Sequence, residues 1–325
     1  MSSVAGKGRS AVLGVDIGGT KVAVAPVDEA GNVLADALVE ASRTDDTSSF
    51  LAGLEATIRR ALTEFADFQP RAIGMACAGT VNGEQGSVVT SPNLPLKRVA
   101  LADAMETVLD LPVILENDAN AAAWAEAMVG AAAGYRYVVM LTLGTGVGGG
   151  LILDGGLYRG TGGGAAELGH TIICAGGELC ACGARGCLEQ YASGTALERY
   201  GRARAGSSED DPDGVLARLR DQGRLDGEAV SELARAGHPG ALACVEELAG
   251  WLGLGMVGLA NTFNPEIIVI GGGVSDLGDL ILQPAEKILR ATALPPNGEA
   301  KVVKASLGNI AGLVGGGLIA WKALP

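Results

Sequence analysis

Two stretches of this chain follow one pattern of apolar and polar positions. In AVLGVDIGGTKVAVAPVDEAGNVL an apolar run meets a glycine and threonine corner, a second apolar run follows at once, and Asp28 to Asn32 form a further turn. YVVMLTLGTGVGGGLILDGGLYRG has the same order and ends in an Asp-Gly turn. Short apolar runs bounded by turn residues predict strands, so each stretch predicts a hairpin with an unusual glycine corner. The chain holds two copies of one unit.

Between the copies, SSFLAGLEATIRRALTEFA has helical spacing, RAIGMACAG and LPVILEN read as buried strands, and DANAAAWAEAM opens another helix. WLGLGMVGLANTFN predicts an apolar helix before the strand EIIVIGGGV, and NIAGLVGGGLIAWKALP a helix of small residues packed close to a neighbour, returning to the first domain. Residues 201–240, with SSEDDPDG, predict surface helix plus a mobile loop and no readable chemistry. Strands alternating with helices predict an α/β class.

The 325 residues fit two domains, and the 51 glycines ask for tight turns or backbone-lined sites. A net charge of −13 without a basic run argues against nucleic acid as a partner. The basic start, MSSVAGKGRS, lacks the apolar region of a signal peptide, and no uninterrupted apolar run reaches a membrane-spanning length. A soluble, cytoplasmic protein without a membrane partner is expected. Six cysteines in so long a chain are expected to be reduced thiols, with Cys77 and Cys244 as buried small residues.

A strand ending in DIGGT leaves backbone N–H groups open to a ligand, with Asp16 beside the opening. Neither a P-loop nor a Rossmann fingerprint fits, because a second strand follows directly. The corner is either a tight turn or a phosphate loop; its recurrence as LGTGVGGG favours the second. At the end of LPVILEN, Asn117 and Asp118 fall where open α/β sheets face ligands, and Asp118 also reads as a helix N-cap.

DIGGTK at 16–21, LGTGVGGG at 143–150, ELGH at 167–170 and CACGARGCLE at 180–189 together resemble the ROK family of sugar kinases and repressors, over nearly the whole chain. The resemblance implies a duplicated actin-like ATPase (ribonuclease H-like) fold, with two lobes around a central cleft, taking ATP, Mg²⁺ and a sugar. The expected division is a small N-terminal α/β lobe of residues 1–118, joined by the C-terminal helix about 309–325, and a large C-terminal α/β lobe of 119–308. The resemblance implies that Gly18, Gly19, Thr20 and Lys21, with Gly144, Thr145 and Gly146, line the phosphates, that Asp16 positions Mg²⁺ or its water, and that Gly271, Gly272 and Gly273 border the adenosine.

Phosphoryl transfer to a hydroxyl needs a carboxylate to take its proton, and similarity to the family's E-N-D motif implies that Asp118 is this base, with Asn117 on the sugar. Glu167 and Glu189 suit the fixing of two sugar hydroxyls each, since a carboxylate accepts both; alone, either reads first as an exposed glutamate, and their match to ELGH and GCLE reverses that preference. Asn93, in SPNLP, is a further sugar candidate or simply a turn.

Zinc takes four thiolate and imidazole ligands from short spacings. Cys180, Cys182 and Cys187 with His170 supply four, and Gly183 and Gly186 let the backbone wrap. Cys174 falls outside the family motif, and His238 reads as a loop residue. The expected zinc is structural and fixes the second nitrogen of His170 as a hydrogen-bond donor, which the resemblance implies meets the sugar.

The function implied by the resemblance is ATP-dependent phosphorylation of glucose at O6. The motifs are shared by kinases for N-acetylmannosamine, N-acetylglucosamine, fructose or mannose, by polyphosphate-using glucokinases, and by sugar-sensing repressors. The ten to fifteen residues before the first strand are too few for a helix-turn-helix module, and Asp118 favours catalysis. A homodimer or homotetramer is the family expectation.

Overall fold

The computed structural model describes residues 8–42 and 45–325, so most of the polar N-terminal tail lies outside the described residues. The chain forms two compact units, Met1–Gly134 with Leu157–Ala165 and Asn309–Pro325, and Tyr135–Gly156 with Ala166–Gly308.

The first unit runs β1 (Arg9–Ile17), β2 (Lys21–Val27), β3 (Leu38–Ala41), α1 (Thr47–Glu64), β4 (Phe68–Cys77), β5 (Thr80–Asn82), β6 (Ser87–Thr90), β7 (Lys97–Val99), α2 (Leu101–Leu109), β8 (Val113–Asn117) and α3 (Asp118–Val129). Its main sheet has the order β3-β2-β1-β4-β8, with β5, β6 and β7 in a small sheet of their own. The β1–β2–β3 pairings are antiparallel; β1, β4 and β8 are parallel. β1 is buried along most of its length because it is the central strand, covered on both faces. Helix α1 is capped by Asp46, whose carboxylate accepts from Ser49 N, and it buries Phe50, Leu54, Ile58 and Ala61 at helical spacing.

The second unit contains β9 (Val138–Leu143), β10 (Val147–Leu153), β11 (Gly156–Leu157), α4 (Glu189–Ala192), α5 (Gly194–Arg204), α6 (Val215–Asp221), α7 (Gly227–Arg235), α8 (Pro239–Phe263), β12 (Ile267–Gly271), α9 (Asp279–Thr292) and β13 (Lys301–Lys304). Its sheet order, β11-β10-β9-β12-β13, repeats that of the first unit in chain sequence. The repeated hairpin read from the apolar pattern is therefore part of a repeated five-stranded sheet. Helix α8 is long and apolar enough to cross a membrane, but half of its apolar window is buried inside the unit. Its residues Cys244, Leu248, Leu252 and Met256 belong to the unit's hydrophobic core, which makes it a core helix.

The last helix, α10 (Ala311–Ala323), belongs to the first unit as its small residues predict. A Cβ at Gly14 would lie 2.3 Å from Leu313 O, and one at Gly74 only 1.9 Å from Gly316 O. Glycine at those strand positions lets helix backbone lie directly on the sheet. Helix α3 is also in this unit, so the division does not fall at 118. Its alanine-rich surface is buried nearly all round, and a Cβ on Gly315 of α10 would reach Ala121 O at 1.9 Å.

Candidate active site

Parallel register sets the site in the first unit. Asp16 pairs with Ala76 and Ala76 with Glu116, so β1, β4 and β8 finish level and deliver Asp16, Asn117 and Asp118 to the same carboxyl end of the sheet. The corner between β1 and β2 is closed by Gly18 N donating to Lys21 O at 3.0 Å, and Ser42 N donates to Thr20 O. A Cβ at Gly19 would lie 2.8 Å from the Asn93 Cβ, so Asn93 backs the glycine corner. Lys21 is exposed at the start of β2.

Asp118 is not the helix cap. Asn117, in extended conformation, is the cap, its side chain accepting from Asn120 N at 2.9 Å, and Asp118 is the first helical residue. The cap falls one residue earlier because the strand conformation persists through Asn117, and the Asp118 carboxylate is thereby released from capping. Asn117 Nδ2 donates to Gly79 O at 2.9 Å and to Asp118 Oδ1 at 3.0 Å, while Asp118 Oδ1 also accepts from Ala119 N. Burial raises the Asp118 pKa against the opposing effect of these hydrogen bonds. Burial, and then the charge of Asp118, push Asp16 up to about 6, with Lys21 pulling the other way. Two partly buried carboxylates with so little cationic compensation form a donor set that fits a divalent cation.

Glu116, Asn120 and Arg159 were not among the residues singled out from sequence. Glu116 is 3% exposed and accepts Arg159 Nε at 2.6 Å, Asn117 N at 3.1 Å and Asn120 Nδ2 at 3.1 Å. The signal was an acid inside an apolar strand, VILEN, where an unpaired carboxylate is costly.

In the second unit the equivalent corner joins β9 to β10, with Gly144 N donating to Gly146 O at 2.9 Å. Gly144, Thr145 and Gly273 line a cavity of about 440 Å³ together with Thr195, Asp226, Ser231 and Arg235. Residues 201–240 thus contribute a cavity wall, contrary to the reading of plain surface; polar residues on a short helix give no sequence sign of what they face. Gly271 and Gly272 do not line this cavity. Gly271 ends β12, while Gly272, at φ +80°, would place a Cβ 2.4 Å from Leu143 O.

Gly146 faces elsewhere, since a Cβ there would lie 2.3 Å from Glu189 Oε2. Glu189 opens α4; its Oε2 accepts from Val147 N at 3.0 Å and its Oε1 lies 3.7 Å from Cys180 Sγ. Glu167 directly precedes the short turn Leu168–His170.

One ligand atom each from His170, Cys180, Cys182 and Cys187 lie within 4.8 Å of one another. His170 Nδ1 is 3.6 Å from Cys180 Sγ, and Cys182 Sγ is 3.6 Å from Cys187 Sγ. Tetrahedral ligands at zinc–sulfur bond length are separated by about 3.8 Å, so the set fits that ion. All six cysteines are free thiols. Gly183 and Gly186 have φ of +91° and +85°, a conformation that favours glycine and wraps the loop around the thiols. His238 is not a loop residue: it caps α8, with Nδ1 accepting from Ala241 N and Nε2 3.2 Å from Asp213 Oδ1. A partner 25 positions away is invisible in local sequence.

Comparison with known proteins defines the class: residues 12–323 match the ROK family, and the chain belongs to it. The chain is 41% identical over 307 residues to the glucokinase of Streptomyces coelicolor, covering 93% of this chain and 95% of that one. A ROK family glucokinase from Streptomyces griseus, solved in complex with glucose and AMPPNP, superposes with a TM-score of 0.83 at 39% identity, covering 96% of this chain and all of that one. A ROK family transcriptional regulator, a homologue of the E. coli MLC protein, gives 0.85 at 29% identity, covering 95% of this chain and 77% of the regulator. The two units have the duplicated actin-like ATPase fold of this family.

Proposed function

We propose that the protein is a glucokinase that transfers the γ-phosphoryl group of ATP to the O6 hydroxyl of glucose, giving glucose 6-phosphate and ADP. The observation that carries this reading is Asp118, a partly buried carboxylate with raised pKa directly after β8, in a chain 41% identical to a glucokinase. Asp118 accepts the O6 proton as the phosphoryl group moves, and its raised pKa improves the match to that task. Asn117, Asn93, Glu167, His170 and Glu189 hold the remaining hydroxyls and so select the one that reacts.

Backbone N–H groups at Gly19 and Thr20, and at Thr145 and Gly146, receive the phosphates, with Lys21 adding positive charge, while the Gly18 and Gly144 N–H groups close the two corners on Lys21 O and Gly146 O. Gly273 borders the adenosine, part of which the cavity beside Thr195 and Asp226 receives, while Gly271 and Gly272 shape the strand end behind it. Mg²⁺, held near Asp16, supplies charge neutralisation on the phosphates when bound. Zinc on His170, Cys180, Cys182 and Cys187 is structural and keeps Glu167, His170 and Glu189 in place. The same reading includes a cytoplasmic, glycolytic role and a homodimer or homotetramer.

A sugar-sensing regulator is the second reading, supported by the likeness to the MLC homologue. A coupled assay of zinc-replete protein with Mg-ATP against glucose, mannose, fructose, N-acetylglucosamine and N-acetylmannosamine separates the readings, and polyphosphate in place of ATP tests the donor. Glucose is expected to give the highest kcat/KM. Preference for another sugar overturns the specificity, and no turnover with any of them favours the regulator.

A further inference from the structure

We infer that Arg159 and Glu116 form a positioning pair that holds Asp118 in its working orientation, an inference resting on Asp118 as the base. The connection is a continuous run of hydrogen bonds. Arg159 Nε donates to Glu116 Oε2 at 2.6 Å, and Glu116 Oε1 receives Asn117 N and Asn120 Nδ2. Asn120 N donates to Asn117 Oδ1, and Asn117 Nδ2 donates to Asp118 Oδ1 at 3.0 Å. The backbone and side chain of the residue next to the base are both held by this network.

Stability alone explains the pair poorly. Glu116 is buried but the Arg159 side chain is 38% exposed, and an ion pair with one partner in contact with water contributes little net stability, about 1 kcal/mol or less. Of the three groups that donate to the Glu116 carboxylate, all but Arg159 belong to the β8–α3 corner that carries Asp118. Arg159 itself comes from Leu157–Ala165, nine residues that belong to the first unit although the chain on either side belongs to the second. That segment lies close enough to β5 that a Cβ at Gly163 would be 2.2 Å from Val81 O. It leads directly into Glu167 and His170. Without Arg159, the buried Glu116 carboxylate loses its one ion-pair partner among the described residues and the corner relaxes, displacing Asp118 without removing it.

The test measures kcat, KM for glucose and thermal unfolding for Arg159→Leu, Arg159→Lys, Glu116→Gln and the double variant Arg159→Leu/Glu116→Gln. A misplaced base lowers kcat by about 10- to 100-fold, whereas KM for glucose is expected to move by less than about threefold. Arg159→Lys, which keeps the charge, is expected to recover most of kcat, and the double variant to fall no further than the worse single one. In an Asp118→Asn background, Arg159→Leu is expected to leave the residual rate unchanged. If Arg159→Leu does not fold, the lysine and double variants carry the test, since neither leaves a buried carboxylate unpaired. Unchanged kcat in folded variants, a loss confined to KM, or losses that multiply in the double variant overturn the pair's role. A fully active Asp118→Asn overturns the base assignment itself, a failure distinct from those.

Discussion

The two units place the same five strands in the same order yet carry different chemistry at the matching corner. β1 and β9 each end three residues before the antiparallel strand that follows them, so Asp16 in VDIGGTK corresponds to Thr142 in LTLGTGV. The first unit gathers Asp16, Glu116 and Asp118 at the carboxyl ends of parallel strands. The second has Thr142 beside Gly271 at that level, with glycine, threonine and a polar cavity beyond. The repeated backbone supplies two similar glycine corners, while the side chains one residue inside the corner, Asp16 and Thr142, give the first copy a carboxylate and the second a hydroxyl. This difference at the corner, a carboxylate in the first copy against a hydroxyl in the second, is a contrast that substitution can break.

The largest effect is expected at Asp118. Asp118→Asn keeps size and polarity and leaves Asn117 as the cap, so α3 and the melting temperature should change little. The loss of a general base costs about 10²- to 10⁴-fold in rate, read as kcat in the coupled assay, while glucose binding measured by calorimetry persists. Substantial remaining turnover would remove Asp118 as the base and erase the proposed contrast between the copies.

Much of this contrast was legible in sequence because it is local. The hairpins, the strand ends at LPVILEN and EIIVIGGGV, and the cysteine spacing are all carried by neighbours within a dozen residues. Partnerships across long separations were not. Arg159 meets Glu116 from 43 positions away, and His238 meets Asp213 from 25. The N-cap was misread by one residue because Asn and Asp cap equally well, and only the backbone angle at Asn117 decides. The wall formed by Asp226, Ser231 and Arg235 was hidden because polar residues on a helix look alike whether they face solvent or a ligand.

An intermediate effect is expected from removing metal from the second unit. Zinc-replete protein should hold one zinc per chain by elemental analysis, and Cys187→Ser or chelation should raise KM for glucose about 10-fold or more, because outer supports of a site commonly contribute that much. KM for Mg-ATP should change far less, since Gly144, Thr145 and Gly273 lie on the cavity and not on the thiol cluster. Equal changes in both constants would show that the cluster supports the whole unit and not the sugar contacts.

The smallest effect tests the charge that distinguishes Asp16 from Thr142. The Asp16 pKa, raised by burial and by Asp118 from 3.8 to about 6, lies above its unfolded value, so the folded state binds the proton more tightly. Its favourable contribution is complete below pH 3.8 and is lost as pH rises through about 6, leaving a folded protein at pH 8 that carries an unwelcome charge. At 1.36 kcal/mol for each tenfold change, that penalty is about 3 kcal/mol at most. Asp16→Asn removes the charge, so without nucleotide or divalent cation it should melt several degrees above the parent at pH 8, the gain shrinking through pH 6 and vanishing near pH 4. A gain that grows on acidification, or none at pH 8, would mean that Asp16 is not held against its own ionisation, and the first copy would then differ from the second in residue type without any stored electrostatic cost.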